Sequence, residues 1–102
     1  MDNNIFIGLT DIIQRNDTKF LANKLGEEMV MMNMENGDFV SMNNVGADIW
    51  SLSEHPISLG DLIRKLLSLY DISEDQCMNE TLQFLRMSAN QGIFTIHNIA
   101  SA

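Results

Sequence analysis

The sequence is poor in cysteine, proline and positive charge, and these shortages exclude whole classes of protein. A single Cys rules out a disulfide within the chain and a Cys-rich metal site. Only 6 Lys and Arg stand against 14 Asp and Glu, which gives a net charge of -8. So acidic a chain is poorly suited to follow a nucleic-acid backbone or to dock on anionic lipid. We therefore expect neither nucleic acid nor membrane among its partners.

Long hydrophobic runs are also missing. No apolar stretch approaches the ~20 residues of a membrane span, and no cationic segment precedes an apolar one at the N-terminus, as in a signal peptide. Together with the single Cys, this favours a reduced, cytoplasmic setting. The 102 residues are 45% hydrophobic, which is typical of one folded domain. We expect that domain to cover residues 1–102; residues 1–11 could form a flexible arm, or segment 5–15 could add a strand.

The pair Asn36-Gly37 lies between two apolar runs and predicts a β-hairpin. A two-residue loop would place Met34 opposite Phe39 and Met31 opposite Met42. Strand alternation sorts the side chains onto two faces. One face carries Met29, Met31, Val40 and Met42, and the other carries Val30, Met32, Met34, Phe39 and Ser41. The second face is more apolar than a solvated face should be. Residues 20–24 are a plausible third strand of the same sheet.

Three helices are predicted after the hairpin, each beginning at a side chain that can accept a hydrogen bond from the first turn. These caps are Asn43 or Asn44, Ser58 and Ser73. The first helix ends before Pro56, because the residue preceding a proline is pushed out of helical geometry. The second is expected to end at about Leu69 and the third near Gly92. Residues 93–96 could form a final short strand.

The third predicted helix carries two apolar stripes, about 100° apart around its axis. The first stripe consists of Cys77, Thr81, Phe84 and Ser88. The second stripe consists of Met78, Leu82, Leu85 and Ala89, with Arg86 at its border. Both stripes could belong to the core. Alternatively, the second stripe lines a groove for another chain, since the apolar arc is wider than packing against one layer requires.

Residues suited to catalysis are scarce. His55 and His97 are not spaced for metal ligation with each other or with Cys77, and no glycine-rich phosphate loop is present. The 8 Met residues are core filler or an adaptable contact surface. What remains is a small acidic domain with a sheet edge, which could accept an extended peptide as an additional strand.

Several segments, in this order and at these spacings, carry a resemblance to a known family. They are Gly-Asp-Phe-Val-Ser-Met-Asn at 37–43, Val-Gly-Ala-Asp-Ile-Trp at 45–50, and then Pro56, Leu62, Leu66, Tyr70, Cys77, Phe84 and Gly92. The chain resembles the PqqD-like family, also called RiPP recognition elements. These small domains bind the leader segment of a ribosomally made precursor peptide. The chain is similar to the free-standing members found beside lasso-peptide enzymes.

The resemblance implies an α+β fold, with a three-stranded antiparallel sheet followed by three helices in a winged helix-turn-helix-like shape. In the family, the leader adds as a strand beside the third strand and lies against the third helix. On this sequence, the peptide-binding residues are then Asp38, Phe39, Val40, Ser41, Met42, Met78, Leu82, Leu85, Arg86 and Ala89. The resemblance implies no cofactor, no metal and no catalysis by the domain itself. The implied partners are a precursor leader peptide and a leader peptidase or radical-SAM maturation enzyme.

On this interpretation, we expect Leu85→Asp or Leu82→Asp to abolish leader binding while the domain stays folded. Two other functions stay open. A DNA-binding winged-helix regulator is disfavoured by charge, since the helical half has few basic residues. A structural subunit of a maturation enzyme could dock through the face that carries Met32, Met34 and Phe39. The same face could also support a homodimer.

Overall fold

The computed structural model describes residues 6–26 and 28–97, which form two three-stranded antiparallel sheets and three helices. The strands are β1 (Ile12–Arg15), β2 (Phe20–Leu25), β3 (Glu28–Asn33), β4 (Phe39–Met42), β5 (Ile57–Ser58) and β6 (Phe94–His97). The helices are α1 (Asn44–Leu52), α2 (Leu59–Leu69) and α3 (Glu74–Asn90). The fold is therefore α+β, as predicted.

The predicted sheet is present, with strand order β2-β3-β4, but the element order differs from the prediction. A second sheet, with strand order β5-β1-β6, joins segments that lie before, between and after the helices. Its central strand β1 pairs with β6 across almost the whole chain, Ile13 opposite Ile96. Strand β5 has only 2 residues, too few to show alternation. The local sequence pattern could suggest β1 and β6 as strands, but it could not show that they pair with each other.

The β3–β4 hairpin forms with a longer loop than predicted. The Asn33 N–H donates to the Asp38 carbonyl at 2.8 Å, so the loop consists of residues 34–37. Only Gly37 in this loop has a positive φ, at 79°, whereas the predicted type I′ turn needs two such residues. Phe39 therefore pairs with Met32 instead of Met34. The displacement is two residues, so every side chain keeps its predicted face.

The predicted helix caps are confirmed at all three sites. The side chains of Asn43, Ser58 and Ser73 accept hydrogen bonds from main-chain N–H groups of the first turns of α1, α2 and α3. Gly92 follows α3 with a φ of 80°, the left-handed conformation that ends many helices. Local capping chemistry thus placed all three helix starts correctly.

One apolar core lies between the helices and both sheets. Its fully buried side chains include Ile13, Met31, Ile49, Leu59, Leu62, Leu66, Leu85, Ile93 and Phe94. The Phe94 ring meets Trp50 and Phe84 edge to face, with centroid separations of 5.9 and 5.8 Å. The Arg15 guanidinium lies over the Trp50 ring, 4.9 Å from its centroid. Strand β6 is therefore tied to α1 and α3 through Phe94.

The segment before β1 is anchored to α2 over part of its length. Ile7 is buried, and the Gly60 N–H donates to the Leu9 carbonyl at 3.0 Å. The buried Asp11 carboxylate accepts the Gly8 N–H at 2.9 Å. Residues 1–5 of the predicted arm lie outside the described residues.

Candidate functional site

Strand β4 forms an edge of its sheet and presents main-chain groups outward. In an antiparallel ladder, residues alternate between hydrogen-bonded and non-hydrogen-bonded pairs. The bond from Asn33 to Asp38 fixes the phase, so Val40 and Met42 bond to β3. The N–H and C=O groups of Phe39 and Ser41 then point to the open edge. An additional strand could form roughly four main-chain hydrogen bonds there.

A cleft of about 470 Å³ opens beside the loop end of β4. It is lined by Phe20, Asn33, Asn36, Asp38, Phe39, Val40 and Gln91. Gln91 immediately follows α3, so the cleft lies between the edge of β4 and the C-terminal end of that helix. Three of the predicted site residues, Asp38, Phe39 and Val40, thus share one cleft.

The remaining predicted β4 residues point in opposite directions. Ser41 is exposed, on the same face of the sheet as Phe39, whereas Met42 is buried in the core. The Met42 side chain therefore anchors β4 to the core and does not reach the surface.

The first stripe of α3, which contains Phe84, lies next to the chain that leaves β4. A Cβ atom on Gly46, in the first turn of α1, would lie 3.0 Å from the Phe84 ring. On a helix, Met87 and Gln91 follow Phe84 at i+3 and i+7, so the three share a face. Met87 is 59% exposed. The face of α3 that ends at the cleft in Gln91 therefore also carries Phe84 and Met87.

The second stripe lies on another side of α3, toward α2. Met78 lines a separate groove with Gly60, Ile63 and Leu67 of α2. Leu85 is fully buried, so it can reach a ligand only if the core opens. Leu82 and Ala89 are half-buried. Among the described residues that line the β4 cleft, none comes from this stripe.

Arg86 belongs to the same far side of the helix. It follows Phe84 by two positions, about 200° around the axis, and it is half-buried. The prediction assigned the groove beside β4 to the second stripe, whereas Gln91, which lines the β4 cleft, shares a helix face with Phe84 of the first stripe. In the sequence, the signal for this face of α3 was Met87, an apolar residue that lies outside both stripes.

The outer face of the β2-β3-β4 sheet is apolar and open to solvent, as alternation predicts. Leu21, Leu25 and Phe39 are 54%, 62% and 70% exposed. With Val30 and Met32 they line a shallow depression of about 140 Å³. Met34 is also exposed, but it lies in the hairpin loop instead of opposite Phe39.

Two titratable groups outside the cleft have shifted pKa values. Burial raises the pKa of the Cys77 thiol, which favours the protonated form over a nucleophilic thiolate. Burial and the hydrogen bond to Asp48 raise the pKa of Tyr70 to about 12. The Tyr70 hydroxyl donates to the Asp48 carboxylate and so links the end of α2 to α1.

Neither a metal cluster nor a membrane-spanning helix is found within residues 6–26 and 28–97. There, no three His, Cys, Asp or Glu residues are grouped so that they could hold a metal ion. In the same part of the chain, no helix combines the length and the apolar character needed to cross a membrane.

Comparison with known proteins identifies the fold and the family of the chain. No curated protein matches the chain. The solved structure "TbiB1 in Complex with the TbiA(beta) Leader Peptide" matches with a TM-score of 0.70 at 21% identity, over 79% of this chain and 93% of that chain. This similarity shows the fold. The family model of coenzyme PQQ synthesis protein D (PqqD) matches residues 28–93. Since that match covers more than half of the sequence, the chain belongs to the PqqD family.

Proposed function

We propose that the protein is a non-catalytic module that captures the leader segment of a ribosomally synthesised precursor peptide. The leader adds as a strand beside β4 and is presented to a modifying enzyme or a leader peptidase. The observation that carries this proposal is the open edge at Phe39 and Ser41, which lies beside a cleft closed by the end of α3. Membership of the PqqD family and the similarity to a leader-peptide complex support it.

Strand addition explains how one small site can give both affinity and selectivity. Main-chain bonds to Phe39 and Ser41 supply affinity for an extended segment of any sequence. Alternate leader side chains then point inward, toward Val40 and the α3 wall of Phe84 and Met87. Selectivity comes from these inward positions, because their side chains must fit the groove.

The domain as a whole fits this role without a second unit. We propose a single peptide-binding domain in which the β3–β4 hairpin is the wing of a winged helix-turn-helix-like arrangement. The net charge of -8 favours a peptide over DNA as the ligand. The predicted contacts of Met78, Leu82, Leu85, Arg86 and Ala89 become supporting ones, since this stripe packs toward α2 and holds α3 in place.

The test is a titration of the protein with a synthetic, fluorescein-labelled leader segment of a candidate precursor peptide. Ser41→Pro removes the outward N–H and places the proline ring at the open edge. We expect it to weaken leader binding at least tenfold, whereas Ser41→Ala keeps the N–H and binds like the wild type. Equal affinity of the wild type and Ser41→Pro would refute strand addition at β4.

A second role is favoured by the exposed outer face of the same sheet. We propose that Leu21, Leu25 and Phe39 also dock the maturation enzyme, because so large an apolar area in water is typical of an interaction surface. The double variant Leu21→Asn, Leu25→Asn should lose co-purification with that enzyme yet keep leader affinity, since neither residue lies on β4. If the double variant still co-purifies with the enzyme, this face of the sheet is not the docking surface.

A further inference from the structure

The cleft beside β4 differs in chemistry from an apolar groove. Three apolar residues, Phe20, Phe39 and Val40, belong to its lining, and Asp38 is the acidic residue among them. The amide side chains in the lining are those of Asn33, Asn36 and Gln91. Such a lining suits a ligand group with an apolar stem and a polar head.

The turn that carries Asp38 is held in place by its own side chains. The Asn36 amide oxygen accepts the Asp38 N–H at 2.9 Å, and the Asn33 amide oxygen accepts the Glu35 N–H at 2.9 Å. The Asn33 N–H also donates to the Asp38 carbonyl. These bonds fix the main chain at Asp38 before any ligand arrives, which lowers the entropy cost of binding.

The charge of Asp38 has no counter-ion within the described chain. Its carboxylate takes part in none of the ion pairs or side-chain hydrogen bonds found there. Lys19, whose ammonium lies over the Phe20 ring that lines the same cleft, approaches Glu35 at 3.9 Å. Because Glu35 and Asp38 together outnumber Lys19, this end of the cleft stays negative.

We propose that the cleft binds a Lys or Arg side chain of the leader peptide. Its methylene stem would lie against Val40, on the inner face of β4, and its cationic head would meet Asp38. This inference rests on the proposed function, since it assigns one inward position of the added strand. An apolar residue there would strip water from Asp38 without replacing its hydrogen bonds, and an acidic residue would be repelled. The cleft therefore disfavours apolar and acidic residues at this leader position and favours a basic one.

The experiment uses the same synthetic leader segment and variants of it in which each Lys and Arg is replaced in turn by Met. For the wild-type protein, we expect one replacement to weaken binding about fivefold, the scale of a partly exposed ion pair. Asp38→Asn should weaken binding of the parent leader by about the same factor. If the two groups contact each other, the combined changes should cost no more than either alone.

Two controls separate this inference from strand addition itself. Glu28→Gln removes an exposed acidic residue at the far end of β3, and it should leave the affinity unchanged. Ser41→Pro should weaken binding of every peptide at least tenfold. If Ser41→Pro weakens binding by that factor while no basic replacement and no change at Asp38 weakens it, the basic subsite is wrong and the proposed function stands. If Ser41→Pro does not change the affinity, strand addition at β4 is wrong, and so is the basic subsite that depends on it.

Discussion

Phe39 of β4 lies directly opposite Met32 of β3, in a pair whose main-chain groups do not bond to each other. This register turns the N–H and C=O groups of Phe39 and Ser41 outward, while those of Val40 bond to Met31. Had Phe39 paired with Met34, as a two-residue loop requires, each β4 residue would have lain opposite a β3 residue two positions later in the sequence. The loop thus decides where the open edge begins.

The first prediction follows from this alternation and concerns stability. Val40→Pro should lower the free energy of unfolding by about 3 kcal/mol or more, because it removes a ladder bond and leaves the Met31 carbonyl without a donor. Ser41→Pro should cost less than about 1 kcal/mol, since its N–H bonds to no residue of β3. Urea unfolding measures both. Equal losses would show that the register is different.

The second prediction compares a fully buried and a half-buried residue of the second α3 stripe. Leu85→Ala should cost about 3 kcal/mol, the usual cost of a cavity at a fully buried leucine. Met78→Ala should cost about 1 kcal/mol, because that side chain is half-buried. For the same reason, Leu85→Asp should unfold the domain, contrary to the expectation from sequence. A folded Leu85→Asp variant, by circular dichroism, would contradict the buried position.

The third prediction concerns the hydrogen bond from Tyr70 to Asp48. Tyr70→Phe should lower the free energy of unfolding by about 1 kcal/mol at neutral pH. The pKa of Tyr70 is raised from its usual value of 10.0 to about 12 in the folded protein. Its stabilising contribution is therefore complete below pH 10 and is lost as the pH rises toward 12.

Measurements of unfolding by urea between pH 9 and pH 12 test this linkage. The stability difference between the wild type and Tyr70→Phe should shrink across that window. A difference that stays constant would mean that Tyr70 titrates alike in the folded and unfolded chains.

The fourth prediction compares one chemical change at two glycines. Gly37 has a φ of 79° with open space around it, so Gly37→Ala should destabilise the protein by about 1 kcal/mol through backbone strain alone. Gly60 lies in α2 with ordinary contact distances, the nearest being 3.5 Å to the Leu9 carbonyl oxygen. Gly60→Ala should stabilise by about 0.5 kcal/mol, because alanine is the better helix former. Thermal unfolding measures the change in stability of both variants. If the two substitutions shift the melting temperature in the same direction, the prediction is wrong.

Much of the candidate site could be predicted because it depends on short-range pattern. The hairpin at Asn36-Gly37 and the two faces of β3 and β4 follow from turn chemistry and alternation. The role of α3 could not be predicted in the same way. Periodicity shows that a helix has two apolar stripes, but the orientation of α3 is set by its packing on α1 and α2, where Gly46 admits the Phe84 ring.

The helix starts, the sheet faces and the excess of acidic residues can be read from the sequence, because caps, alternation and charge are local properties. The sheet that joins β1 to β6, and the place of Gln91 beside the β4 cleft, are visible only in the folded chain. Both depend on contacts between distant segments, whose free energy belongs to the packed chain as a whole. The chemistry of the cleft at Asp38 arises from the same long-range packing.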